Sequence, residues 1–176
     1  MKLWNKEKTS DVAAETVKEK VNSCAQSGVT NADMDQIRQN IEAEVNQSSG
    51  AMSVDYAEFK QIYSYVSRYV NRNESQVQTI LFTVAGKNGT ALSDEVLESA
   101  MYNLNKAVVS SLRKVDVGTI FSSNQYIVIL TDTDMISGQK VADRVVDEFE
   151  KLNGVSYANV TYEIQTLLAK SEHHVY

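Results

Sequence analysis

Val117-Gly-Thr-Ile-Phe-Ser122-Ser-Asn-Gln-Tyr126-Ile-Val-Ile-Leu130 places two β-branched and aromatic runs on either side of a polar pair, Ser123 and Asn124. Runs of that composition form strands and the polar pair forms a turn, so the economical pairing is an antiparallel hairpin. Upstream, Val77-Gln-Thr-Ile-Leu-Phe-Thr-Val84 has the composition of a central strand, and the turn from Gly86 to Gly89 ends it. Between the two, Ser93 opens a helix that reaches about Arg113, with Val96, Leu97, Ala100, Met101, Leu104, Val108 and Leu112 at helical spacing. Downstream, Asp132 to Asp134 supply caps for a helix whose Val141, Val145, Val146, Phe149 and Leu152 face a core, and Asn153-Gly154 stops it. A last strand falls around Val155 to Leu167, alternating Val160, Tyr162 and Ile164 with Thr161, Glu163 and Gln165. Joined by right-handed crossovers, this order predicts an α+β fold: a ferredoxin-like β-α-β-β-α-β sandwich with an antiparallel sheet and its helices on one face.

Ahead of the first strand the pattern is helical. Ser10 to Cys24 is weakly amphipathic, and Asn31 to Val45 shows Met34, Ile37, Ile41 and Val45 at helical spacing before the linker Asn46 to Ala51. From Ser53 to about Arg72, Tyr56, Phe59, Tyr63, Val66 and Val70 form a seam of two heptads. That seam predicts either a helix laid on the core of its own chain or one that pairs with a second copy. The expected organisation is a helical segment over residues 1–50, the α+β domain over 51–169 and a solvated tail over 170–176.

The charge balance narrows the function classes. Lys and Arg number 17 against 23 Asp and Glu, a net charge of −6. With no basic cluster, this repels nucleic acid and anionic membrane surfaces. Cys24 is the single cysteine, so an internal disulfide or a multi-cysteine metal site is excluded and a reducing compartment fits. Met1 to Thr9 has neither a signal-peptide core nor a membrane span, and a cytoplasmic location is expected. Without any proline, helix ends depend on Gly, Asn, Ser and Asp.

Arg113-Lys-Val-Asp116, nine positions before Ser122, together with the hairpin Ser122-Ser-Asn-Gln-Tyr126, resembles the stretch of GGDEF (diguanylate cyclase) domains in which an RxxD motif precedes the signature hairpin. Asp94, Val96 and Leu97 are similar to that family's D-x-V-L helix start, and the resemblance covers roughly residues 53–167. It implies a GGDEF-like, nucleotidyl-cyclase-like fold and a place in bacterial cyclic di-GMP signalling. Such enzymes join two GTP molecules and need carboxylates to hold divalent metal, plus glycines that admit the nucleotide. Here Ser122 and Ser123 stand at the two glycines, Asn124 and Gln125 at the acidic pair, and Phe82-Thr-Val-Ala85 ends the first strand without a carboxylate. Neutral amides are poor ligands for a hard cation, so the expectation is a degenerate domain that is not an enzyme and takes no metal or cofactor. Arg113 and Asp116 match the family's inhibitory site for cyclic di-GMP. The reading ranked ahead of that is structural, a helix end followed by a turn, where a cation complements the dipole and a carboxylate is common.

Other constellations carry less. Gly86-Lys-Asn-Gly-Thr90 lacks the Walker spacing, and Thr131-Asp-Thr-Asp134 lacks the glycine and distal glutamate of a calcium loop. His173 and His174 sit in the tail with no cysteine or cluster of acids around them, and Cys24 has no activating surroundings. The expected function is a non-catalytic signalling module acting on a protein partner, as a homodimer through Tyr56–Val70, or, ranked behind these, on cyclic di-GMP. The alternatives are an active cyclase with relocated metal ligands and a ferredoxin-like domain unrelated to cyclic di-GMP that regulates an enzyme or binds a small metabolite.

Overall fold

The computed structural model describes residues 34–45, 50–73, 75–154 and 158–167. The helix expected over Ser10–Cys24, Cys24 itself, His173, His174 and the tail lie outside the described residues. The chain divides into two units, Met1–Gln47 and Ser48–Tyr176. Of the first, α1 (Met34–Val45) is described; in it Arg38 bridges Asp35 and Glu42 at 3.4 and 3.8 Å.

The second unit runs β1 (Met52–Ser53), α2 (Tyr56–Asn73), β2 (Gln78–Gly86), a 3₁₀ turn (Lys87–Gly89), α3 (Asp94–Ser111), β3 (Val117–Ser122), β4 (Gln125–Leu130), α4 (Met135–Asn153) and β5 (Ala158–Thr166). The sheet order is β1-β3-β4-β2-β5. From β2 onward every pairing is antiparallel and the order is the ferredoxin-like one expected. Two-residue β1 adds a parallel edge beside Val117 and Gly118, which makes the whole sheet mixed. Strand β2 is central, as its composition required, with β4 on one side and β5 on the other.

Both caps read from the sequence are in place. Ser93 Oγ accepts from Val96 N–H at 3.4 Å, and Asp134 accepts from Ser137 N–H at 2.8 Å and from its hydroxyl at 2.9 Å. Gly86 is required at the end of β2, because a Cβ there would lie 1.8 Å from Thr90 O. Helix α3 stops at Ser111, two residues short of the expected Arg113, since Leu112 already has extended backbone.

The two faces of the sheet differ. Ile80, Phe82, Val84, Tyr126, Val128, Leu130 and Val160 pack beneath α3 and α4 with Leu104, Val108, Val145 and Phe149. The alternate residues Ile129 and Val117, with Val77 and Leu167, receive Phe59, Val66 and Val70 of α2. Helices α3 and α4 share one face, as the β-α-β-β-α-β order implies, and α2, which precedes that order, lies on the other. Of the seam of α2, Phe59, Val66 and Val70 are buried within the chain, while Tyr56 and Tyr63 are exposed. Strand β1 displaces the expected helix start at Ser53, and α2 begins after Asp55. There Asp55 Oδ1 accepts from Glu58 N–H at 2.8 Å while Glu58 Oε2 accepts from Asp55 N–H at 3.3 Å, a reciprocal capping box. Among the described residues no helix is long and apolar enough to cross a membrane.

Candidate functional site: the β3–β4 hairpin and its cleft

The hairpin bends over the end of β2. A register irregularity between Ile120 and Ser122 twists the turn, and Gln125 pairs with Thr83 of the central strand. Asn124 grips Val84 from both sides of its own residue. Its carbonyl accepts from Val84 N–H at 2.8 Å, and its side-chain Nδ2 donates to Val84 O at 3.1 Å. Gln125 Nε2 donates to Thr83 Oγ1 at 3.3 Å. Ser122 Oγ lies 3.1 Å from Asn124 Oδ1 and 3.2 Å from Gln125 Oε1, so one hydroxyl proton serves two amide carbonyls. The three polar side chains thus satisfy one another and the strand end, with two amide donors in roles that a carboxylate cannot fill.

Tyr126 lies under the turn, 1% exposed. Burial pushes its phenol pKa up, and a side-chain hydrogen bond with Ser53 of β1 opposes that shift. Gly118 makes room for the ring: a Cβ there would sit 2.6 Å from Tyr126 Cε1. The hairpin is in this way keyed to β1, whose two residues carry too little pattern to be read from sequence.

Beside the turn is a cleft of about 630 Å³ lined by Ser53, Asp94, Glu98, Tyr102, Asn105, Ile120, Ser122 and Ser123, among others. Helix α3 contributes Asp94, Glu98, Tyr102 and Asn105 at helical spacing, with Leu97 and Met101 beside them. Next to it, Tyr56 and exposed Phe121 meet edge to face with centroids 5.5 Å apart.

Arg113 and Asp116 stand at the other end of β3, about 20 Å away along the strand. Asp116 closes a turn: its N–H donates to Arg113 O at 3.0 Å, and its Oδ2 accepts from Arg113 N–H at 2.9 Å. The carboxylate is 3% exposed and faces inward, while the Arg113 side chain is in solvent. Burial raises the Asp116 pKa; the backbone N–H groups of Arg113 and Thr131 and the guanidinium groups of Arg113 and Arg144 oppose it. Oδ1 is buried without a hydrogen bond of normal geometry. The sequence pair is therefore together, but only the arginine is presented outward.

A divalent cation, which GTP-joining chemistry would require, does not fit the hairpin's donors. Asn124 and Gln125 are neutral and engaged, and among the described residues no three of His, Cys, Asp and Glu converge.

No protein-family model matches this chain, and no curated protein matches it in sequence. Solved structures do. The diguanylate cyclase SiaD of Pseudomonas aeruginosa, solved in complex with its activator SiaC, is similar at a TM-score of 0.56 and 12% identity over 93% of this chain; the match spans 65% of that protein, just under two thirds of its length. The GGDEF domain of FimX from the same organism gives 0.55 at 12% identity, covering 66% of this chain and 76% of the other. A DGC protein from Thermotoga maritima gives 0.52 at 12% identity, covering 66% and 82%. The chain has a GGDEF-like fold.

Proposed function

We propose that this chain is a non-catalytic GGDEF-like module of bacterial cyclic di-GMP signalling, located in the cytoplasm and acting by binding another protein. The observation that supports it most is the bonding of the hairpin. Where a cyclase of this fold concentrates carboxylates, Ser122, Asn124 and Gln125 bond to one another and to Thr83 and Val84. Such a turn keeps its shape without holding charge, which suits a scaffold and not a magnesium seat. A partner protein is the favoured ligand because SiaD, a structural relative, was solved with its activator. Cyclic di-GMP at Arg113 and Asp116 ranks behind it, since the Asp116 carboxylate is turned into the protein.

Incubation with GTP and Mg²⁺ followed by chromatographic detection of cyclic di-GMP tests the reading, and no product is expected. Product formation would promote the second reading, an active cyclase with relocated ligands, for which Asp94 and Glu98 in the cleft are the available carboxylates. Calorimetric titration with cyclic di-GMP, repeated on Arg113→Ala, tests the nucleotide reading; weak or absent binding is expected, and a submicromolar affinity lost in the variant would reverse the ranking.

A further inference from the structure

Helix α2 carries a second row whose chemistry neither the core nor the hairpin uses. Tyr65 and Tyr69 are 69% and 46% exposed, and with exposed Arg68 and Arg72 they line a groove of about 590 Å³ that ends at Asn73. These positions follow one another at three- and four-residue spacing, so they form one face, opposite the row that buries Phe59, Val66 and Val70. The Arg68 guanidinium is steadied by Ser64 Oγ at 3.0 Å. Among the described residues neither Arg68 nor Arg72 forms an ion pair. Within the described helix the acid is Glu58, two turns away and turned back onto the Asp55 N–H.

We propose that the Tyr65, Arg68, Tyr69 and Arg72 face of α2 seats an acidic segment of a partner protein. This rests on the protein-binding reading above and names its surface. Three considerations select the occupant. In a chain of net charge −6, two adjacent guanidinium groups that pair with no carboxylate among the described residues are a local inversion of sign, and they attract acids. Tyrosine and arginine together make up the composition enriched at protein interfaces, where a rigid ring supplies area and a planar cation binds carboxylate in two places. A second copy on the same face would oppose like patches and bring both copies' Arg68 and Arg72 together, which disfavours self-pairing. The acidic charge of the rest of the chain likewise weighs against an anionic membrane.

The test uses the full chain and a fluorescein-labelled peptide of Glu, Asp and Leu, with a counterpart carrying Lys for each acid. Anisotropy is expected to show binding of the acidic peptide alone, weakening as salt rises beyond about 0.1 M, where the Debye length is about 10 Å. Arg68→Glu combined with Arg72→Glu should reduce that affinity at least about tenfold, with Arg68→Gln combined with Arg72→Gln intermediate and Lys140→Glu on α4 without effect. Circular dichroism checks that each variant is folded. Equal binding of the basic peptide, affinity unchanged in both double variants, a dimer in sedimentation that the double variant dissociates, or binding to phosphatidylserine vesicles in place of the peptide would each overturn the assignment. The cyclase assay on the same preparations separates the levels. Product formation sinks the non-catalytic reading whatever the peptide does, whereas no product and no peptide binding sinks only this surface.

Discussion

Replacing Asn124 by aspartate asks whether the hairpin's neutral residues are passive or structural. The side-chain Nδ2 of Asn124 donates to Val84 O at 3.1 Å, while Oδ1 takes the Ser122 hydroxyl at 3.1 Å. In Asn124→Asp the second contact survives, but the first becomes an oxygen facing a carbonyl oxygen at the same separation. Loss of a neutral hydrogen bond costs about 1 kcal/mol, and leaving a part-buried acceptor opposite a charge adds about 1–2 kcal/mol. For a chain of this size about 2–3 kcal/mol corresponds to a fall in Tm of roughly 5–10 °C at pH 7. The introduced carboxyl is held above its ordinary pKa by that carbonyl. Its protonated form regains a donor, so the deficit should shrink as pH falls towards about 4. Asn124→Ala, which removes the donor without adding charge, should lose about 1 kcal/mol with no such pH dependence. Urea and thermal denaturation across pH measure all three. An aspartate variant as stable as the parent at pH 7 would refute the argument that amide bonding holds the turn.

Three further outcomes follow from the packing. Gly118→Ala drives a Cβ to 2.6 Å from Tyr126 Cε1 and 3.0 Å from Val128 Cγ1, and should cost about 1–3 kcal/mol in urea unfolding while perturbing Tyr126 absorbance. Phe59→Ala removes the ring that fixes α2 to the sheet and should cost about 3–5 kcal/mol, with hydrogen exchange rising first in α2 and β1. For Asp116 the folded pKa is raised, so its contribution is fully present below 3.8, the unfolded value, and is lost as pH rises through the folded value. Asp116→Asn abolishes that loss; relative to the parent it should be more stable at pH 7 than at pH 3.5, and a parallel pair of pH profiles would contradict the burial described.

The part of the fold that was legible is the part carried by local pattern. Ser93 and Asp134 announced their helices because a cap is a matter of one residue and the next turn, and β2 declared itself central by composition. Strand β1 was illegible, since two residues have no period, and its pairing with β3 depends on Met52 N–H meeting Asp116 O and Val54 N–H meeting Gly118 O, both long-range. Missing β1 misplaced the start of α2, although the Asp55 to Glu58 box was present to mark it. Which face of the sheet α2 covers could not be read from its own seam, because the alternation of Ile127 and Ile129 with Tyr126 and Val128 leaves both faces of β4 apolar. At the site, residue types were legible and bonding was not. Asn124 and Gln125 read as neutral replacements, but their grip on Val84 and Thr83 comes from a contact some forty residues away in sequence. Asp116 read first as a turn residue and second as a ligand, and its bond to the Arg113 N–H shows the turn it closes.

A crystal structure of the protein grown with magnesium and a non-hydrolysable GTP analogue bears most directly on the neutral hairpin. The account predicts that Asn124 and Gln125 keep their bonds to β2 and that no ion is coordinated at the turn. A magnesium ion bound there, with Asp94 or Glu98 among its ligands and the analogue's phosphates against Ser122 and Ser123, would contradict it.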